Sequence, residues 1–351
     1  MLARVRQAVV LDTVARARRA RAVEQIIVVT DSPELACQAR ALGAIADLDP
    51  EREDFHFGRR LAGLVRRHRL RRIFYMSGGL GALATSDDLA WVARELSRRD
   101  AVVICNNIHS SDLVAFTPGS VIWRVEPPAM DNSLAMTLAQ EGGLPVLHPP
   151  RTLGLHFDID TPADVAIASV HPGLGEHTRR LVDGLPLGRE RVWQVFRVMG
   201  DPHADLLVFG RIGAPLFYYL DDRTRCRLRV LSEERGMKSL GRDVRGEVVS
   251  LMGHLWECAG STGLFRVVAK VARAAVLDSR VLFAHRRWSV SPEDRFLSDL
   301  GHWERIGHPG VREFTRAAME AEVPVLLGGH SLVSGGIWAL VDAALRGVRA
   351  P

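Results

Sequence analysis

Apolar positions recur along this chain in two registers, one helical and one extended, and the alternation between them outlines the fold. Leu2, Val5, Val9, Val14 and Ala17 fall at helical spacing, so the chain opens on a helix whose basic end is Arg16 to Arg21. Residues 25–31 (QIIVVTD) are a continuous apolar run ending in a cap, the pattern of a buried strand, and Ser32-Pro33-Glu34 starts the next helix. A short strand is expected at 44–47, a helix over 57–68, and a buried strand over 72–76 that breaks at Ser77-Gly78-Gly79. Ser86-Asp87-Asp88 is expected to cap a helix, 101–105 to be a strand, and Asp131-Asn132-Ser133 to cap a helix over 134–141 that stops at Gly142-Gly143. After a strand at 144–147, Leu155 to Asp158 reads as one more short strand, with Thr161 capping a helix that takes Pro162 in its first turn.

Between Val170 and Arg191 the glycines and prolines Pro172, Gly173, Gly175, Gly184, Pro186 and Gly188 interrupt this rhythm, which then restarts. Strands are expected at 205–211, 227–236 and 324–327, and helices at 215–223, 247–258, 264–274, 311–321 and 337–345. Residues 275–283 fit either a strand or a buried helix end. The reading is α/β: a mainly parallel sheet covered on both faces in residues 1–172, a linker at 173–190, and a second, smaller Rossmann-like α/β domain at 191–351.

Composition supports two domains, since 351 residues exceed what one core usually takes. No run approaches the roughly 18 unbroken apolar residues of a membrane span and no signal peptide opens the chain, so no membrane partner and a cytoplasmic location are expected. Cys37, Cys105, Cys226 and Cys258 lack any CxxC spacing, which argues against both a disulfide framework and a zinc site. Arginine carries almost all of the net charge of +5, because Lys238 and Lys270 are the only lysines. The basic run Arg66 to Arg72 has no interleaved aromatics and matches no nucleic-acid module; it reads as a solvated helix end.

Two places carry candidate chemistry. Asp158 and Asp160 fall at the carboxyl end of an expected strand, where open α/β sheets place ligands. Helix capping by Asp160 is the plain alternative. A DxD glycosyltransferase reading of Asp158-Ile159-Asp160 fits poorly, because the motif closes its unit instead of lying in the middle. In the second half, Gly328-Gly329-His330-Ser331 joins a strand to a helix and offers backbone N–H groups to an anion, with Arg211, Glu233 and Arg235 also at expected strand ends. The same glycines would equally let a helix lie close on its strand. A nucleophile elbow at Ser331 is disfavoured, since Val333 replaces the last glycine and no histidine follows His330. Asp278 and Arg280 are expected to pair internally, and His254 to be a core histidine.

The run Asp158-Ile159-Asp160-Thr161-Pro162-Ala163-Asp164 resembles the late acidic motif of the MobA-like NTP-transferases, the family of molybdenum-cofactor and phospholactate guanylyltransferases. The likeness covers about residues 1–170. Ile26 to Asp31, Phe74 to Gly79 and Ser86-Asp87-Asp88-Leu89 stand in the family's order, and Ser111-Asp112-Leu113-Val114 and Asp131 to Ala135 are similar to acceptor-side segments of the phospholactate branch. The resemblance implies an NTP-transferase-like (GT-A, Rossmann-like) fold and transfer of a nucleoside monophosphate from an NTP to a small phosphorylated acceptor with Mg²⁺. On it, Asp158 and Asp160 would be catalytic and hold the Mg²⁺, while Ser77, Gly78, Gly79, Asn107, Ser111 and Asp112 would bind substrate.

Two departures accompany it. The family's first strand and nucleotide-binding loop would precede Met1, so this chain begins at the helix after them. Ser77-Gly78-Gly79 also stands where the family has a metal-binding Asp, leaving Asp87 or Asp112 as substitutes. The rival expectation is a catalytically inactive homologue that binds a phospho-ligand or a partner protein.

Overall fold

The computed structural model describes residues 1–49, 55–109, 111–238 and 240–348. The chain forms two compact units: Met1, Ala3–Asp158 and Gly175–Thr178 make the first, and Leu2, Ile159–Leu174 and Arg179 onward the second.

In the first unit, α1 (Leu2–Ala20) packs Leu11 and Val14 against Val28, Leu35, Ala39 and Ala44. These partners lie on or beside β1 (Ile27–Thr30), α2 (Pro33–Ala41) and β2 (Ile45–Leu48). Ser32 caps α2 by accepting the Leu35 N–H, as its position before Pro33 predicts. β1 and β2 pair in parallel as a separate two-stranded sheet.

The remaining elements are α3 (Phe57–Arg67), β3 (Ile73–Met76), α4 (Ser86–Ser97), β4 (Val102–Cys105), β5 (Leu113–Thr117), α5 (Leu134–Gln140) and β6 (Val146–Leu147). Their strands form a four-stranded sheet in the order β3-β5-β4-β6. β5 runs antiparallel to both neighbours, and only β4 and β6 are parallel. The sheet is thus mixed where a mainly parallel one is expected. Residues 106–112 are the whole connection from β4 to β5, short of the dozen or so residues a parallel crossover takes.

Two local expectations are corrected. α4 is capped by Thr85, not Ser86: the Thr85 hydroxyl accepts the Asp88 N–H, and Asp88 reaches back to the Thr85 N–H. Residues 155–158 form no strand; the backbone turns tightly at Leu153–Leu155, and a single bridge joins Asp158 to Leu80.

The first unit ends earlier than residue 172 because α6 (Pro162–Val170) is buried at every position. An apolar helix without a polar face must be covered all round, and its cover comes from the second unit. A Cβ added at Gly328 would fall 3.3 Å from Ala163, and one at Gly336 3.2 Å from Ile167. The expected linker holds a helix of its own, α7 (Glu176–Asp183). Its start belongs to the first unit because Asp12 of α1 accepts the N–H groups of His177 and Thr178 and the Thr178 hydroxyl, at 2.9, 3.0 and 2.6 Å.

The second unit continues with α8 (Arg189–Met199), β7 (Asp205–Gly210), α9 (Ala214–Arg223), β8 (Arg227–Ser232) and α10 (Leu251–Val271). Then follow β9 (Ala274–Asp278), α11 (Ser279–His285), α12 (Pro292–Leu300), α13 (Pro309–Met319), β10 (Val325–Gly328) and α14 (Ile337–Leu345). All four strands are parallel, in the order β10-β9-β7-β8. β9 is buried throughout and β7 at five of six positions, as strands covered on both faces must be. The order reverses between β7 and β9, which makes the carboxyl ends of that pair the topological switch point. The two helices expected across 247–274 run together as α10, kinked where Gly260 takes φ +69°. Residues 275–283 turn out to be both candidates in succession, most of β9 and then α11. No helix among the described residues is long and apolar enough to cross a membrane.

Candidate functional site

The first-unit candidates gather at the carboxyl end of β3. Ser77 donates its N–H to the Asp112 carbonyl at 2.8 Å, and its hydroxyl accepts the Leu80 N–H. Leu80 in turn bridges Asp158, so Asp112 and Asp158 flank the Ser77-Gly78-Gly79 turn from two sides. Both aspartates are half-buried. The Arg16 guanidinium on α1 fixes the far end of this loop through the carbonyls of Gly81 and Ala82.

Tyr75, near the end of β3, donates its hydroxyl to Asp131 at 2.7 Å. Burial raises its phenol pKa, and the charges of Asp131, Asp112 and Asp158 raise it further, so the hydroxyl stays a donor. Asn106 braces the rim by donating to the Leu155 carbonyl and accepting the Leu113 N–H.

Two of the side chains expected to bind substrate are instead engaged within the protein. Ser111 is fully buried and its hydroxyl closes onto the Asn107 carbonyl. Asn107 uses its side-chain oxygen to hold the His109 N–H. Both shape the β4–β5 connection. Asp87 is exposed in the first turn of α4.

The aspartate pair divides. Asp158 closes the first unit, whereas Asp160 belongs to the second. Nor is Asp160 the cap of α6. That task falls to Asp164, whose Oδ2 accepts the N–H groups of Asp160 and Thr161 and the hydroxyls of Thr161 and Ser331. Asp164 has no solvent exposure and its Oδ1 has no hydrogen-bond partner among the described residues. Burial pushes its carboxyl up to about 7, the Ser331 hydroxyl offsetting part of that and the Asp160 charge adding to it. The Thr161-x-x-Asp164 spacing was the signal for this arrangement, half hidden behind the more conspicuous Asp158-x-Asp160.

The glycine turn of the second unit meets this helix start. A Cβ on Gly329 would lie 3.6 Å from Thr161 and 3.9 Å from Arg280, so Asp160-Thr161, the Gly328-to-Ser331 turn and α11 converge at the carboxyl end of the sheet. Arg211 joins them, but its charge is already engaged. It donates to both oxygens of Asp278, at 2.6 and 3.1 Å, across the switch point. Arg280 does not pair with Asp278 as expected; its guanidinium donates to both oxygens of Asp299, at 2.8 and 2.6 Å, while its N–H is capped by Asp278.

Asp278 and Asp299 have fully buried side chains, and burial pushes the Asp299 carboxyl up to about 6. Gly210 permits the close approach of the strand ends: at φ +128°, an added Cβ would fall 2.3 Å from Asp278 Cβ. His330 is solvent-exposed beside the cluster, its imidazole pKa lowered by desolvation and by Arg211. Arg235 lies exposed in the turn after β8, outside the cluster. Three buried carboxylates against two guanidiniums make this a poor seat for an added anion.

His254, Glu257 and His285 bring three ligand atoms within 4.8 Å of one another. His254 is exposed on α10 rather than in the core. Ser250 donates its N–H to His285 Nδ1 at 3.2 Å, which leaves the neutral ring's proton on Nε2, the atom a cation would need. The donor set therefore fits a histidine–carboxylate cluster better than a metal centre. A cavity of about 780 Å³ beside β10 is lined by Ala163, Ile167, Arg191, Trp303 and Val325, and of the buried ion pairs it touches only Asp299. No protein-family model matches the chain, and no curated protein matches it either.

Proposed function

We propose that the first unit is a nucleotidyltransferase-like domain that binds a nucleotide and a small phosphorylated acceptor at the Ser77-Gly78-Gly79 rim. The observation that carries this reading is that the backbones of Asp112 and Asp158 are both tied to the Ser77–Leu80 segment while both carboxylate charges act on Tyr75 beside it. A hard cation that bridges phosphates wants oxygen donors, and two carboxylates on either side of an open turn fit Mg²⁺, which keeps several of its waters. Bound there, Mg²⁺ would neutralise phosphate charge during transfer. Asp112 takes the place that the resemblance gives to an aspartate within the turn, and Asp160 drops out of the metal set. The chain's own contribution is positioning: Ser77 ties Asp112 to the turn, Leu80 ties Asp158, and the protonated Tyr75 holds Asp131.

The test is calorimetric titration with Mn²⁺ or Mg²⁺ and GTP or CTP, followed by assay of pyrophosphate release. Asp158→Asn and Asp112→Asn should each weaken cation-dependent nucleotide binding at least tenfold, about 1.4 kcal/mol, while Asp160→Asn leaves it unchanged. If neither nucleotide binds with either cation, the reading fails. The rival, a domain that binds a phosphorylated ligand without turning it over, is favoured by the burial of Ser111 and the placement of Asp160 in the other unit. Binding without pyrophosphate release, whatever the acceptor supplied, would establish that rival.

A further inference from the structure

The cavity beside β10 lies outside the reaction proposed for the first unit, and one charge in its lining is left unanswered. Its walls come from the second unit alone. Ala163 and Ile167 of α6, Leu326 of β10 and Trp303, between α12 and α13, make them apolar and partly aromatic. At about 780 Å³ the cavity has the size of a small-molecule site.

The acidic side chains of the lining are accounted for. Asp299 is held by Arg280, and Glu190 by Arg197 at 3.0 Å. Glu320 and Glu322 are exposed, where water and salt screen them. Arg191, in the first turn of α8, is different. It is half-buried, and its guanidinium donates only to neutral atoms of Met319, the carbonyl at 3.0 Å and the sulfur. Met319 lines the cavity too, so the guanidinium sits in its wall. Desolvation lowers the Arg191 pKa, and no carboxylate among the described residues offsets it. A guanidinium nevertheless stays charged and has five N–H donors to place, and a desolvated charge without a counter-charge is costly. Beside it, α8 opens on Gly188, which has no side chain to cap the first N–H groups of the helix. Gly188 also lines the cavity, so an uncapped helix start and an unanswered cation meet there.

We propose that this cavity binds a small carboxylate with an apolar body. The carboxylate lies on Arg191 and the start of α8, and the body lies against Ile167, Leu326 and Trp303. A singly charged head fits better than a phosphate dianion, because Glu320 and Glu322 border the same cavity. The inference stands apart from the reading of the first unit.

The test is calorimetry on the whole chain with octanoate, hydrocinnamate, the primary amide of each, and acetate. At least one of the two acids should bind about tenfold more tightly than its amide, and than acetate, which has the charge without the body. Which acid binds better tells a chain-like body from an aromatic one. Arg191→Met should bring that acid level with its amide and leave amide binding as it was. Because Arg191 also holds the end of α13, a second readout keeps it in place. Octanoate brominated at its far end should quench wild-type tryptophan fluorescence, and Trp303→Phe should remove most of that quenching. Acids and amides binding alike in the wild type, an acid preference that survives Arg191→Met, or quenching untouched by Trp303→Phe overturns the inference. So does the failure of every probe to bind at millimolar concentration.

Discussion

The two units solve the same problem, a glycine turn at the carboxyl end of a strand, in opposite ways. In the first, Ser77-Gly78-Gly79 is flanked by the half-buried Asp112 and Asp158. In the second, Gly328-Gly329-His330-Ser331 sits over three buried carboxylates, two of them held by Arg211 and Arg280 and the third, Asp164, by hydroxyls that include Ser331. The charges that a parallel sheet usually aims at a ligand are here turned on one another. A switch point is therefore a place where chemistry can be built, and the side chains decide whether it is built for a ligand or for the fold.

The sharpest way to break this contrast is Arg280→Met. It leaves Asp299 buried without its cation and should lower the stability of the second unit by about 3–5 kcal/mol. Chemical denaturation monitored by tryptophan fluorescence would measure it, and a loss below about 1 kcal/mol would show that the buried pairs are not what holds the unit.

The next effect is on pH. Asp164 and Asp299 have folded values of about 7 and about 6, above the ordinary carboxylate range. Below about pH 4 both states are protonated. As pH rises the unfolded chain loses these protons first, so stability falls until pH passes the folded values, on the order of 4 kcal/mol for Asp164. Asp164→Asn should remove most of that decline between pH 4 and 7 and leave the Asp299 share, as thermal melts across pH would show. In the first unit, Thr85→Ala should cost about 1 kcal/mol through the lost Asp88 N–H bond. Smallest of all, Asp160→Asn should change stability by less than about 0.5 kcal/mol, because this residue is exposed and the capping of α6 belongs to Asp164. A larger loss would return Asp160 to a structural role.

What the sequence made legible follows from range. β7 stood out as an unbroken apolar run, β9 only as a run that fitted strand or helix end, and the cap of α2 is written in the residue before it. β5 was equally apolar, but its direction is fixed by the length of the connection before it, which composition does not display. The ion pairs were invisible for another reason. Arg211 and Asp278 are 67 positions apart, and Arg280 and Asp299 19, so no local pattern links them. The rim was half visible: Asp158 and the glycine turn could be singled out, yet nothing local showed that the Asp112 carbonyl would hold the Ser77 N–H or that Asp160 would fall in the other unit.

The grip of Asp12 on Thr178 has a practical meaning for anyone who wants to study the halves apart. The polypeptide crosses from one unit to the other at residue 158, returns at 175 and leaves again after 178. Severing it once, at the first crossing, would deprive the amino-terminal half of the segment whose donors satisfy a buried aspartate. A dissection that keeps both pieces whole has to follow the thread through all three passages.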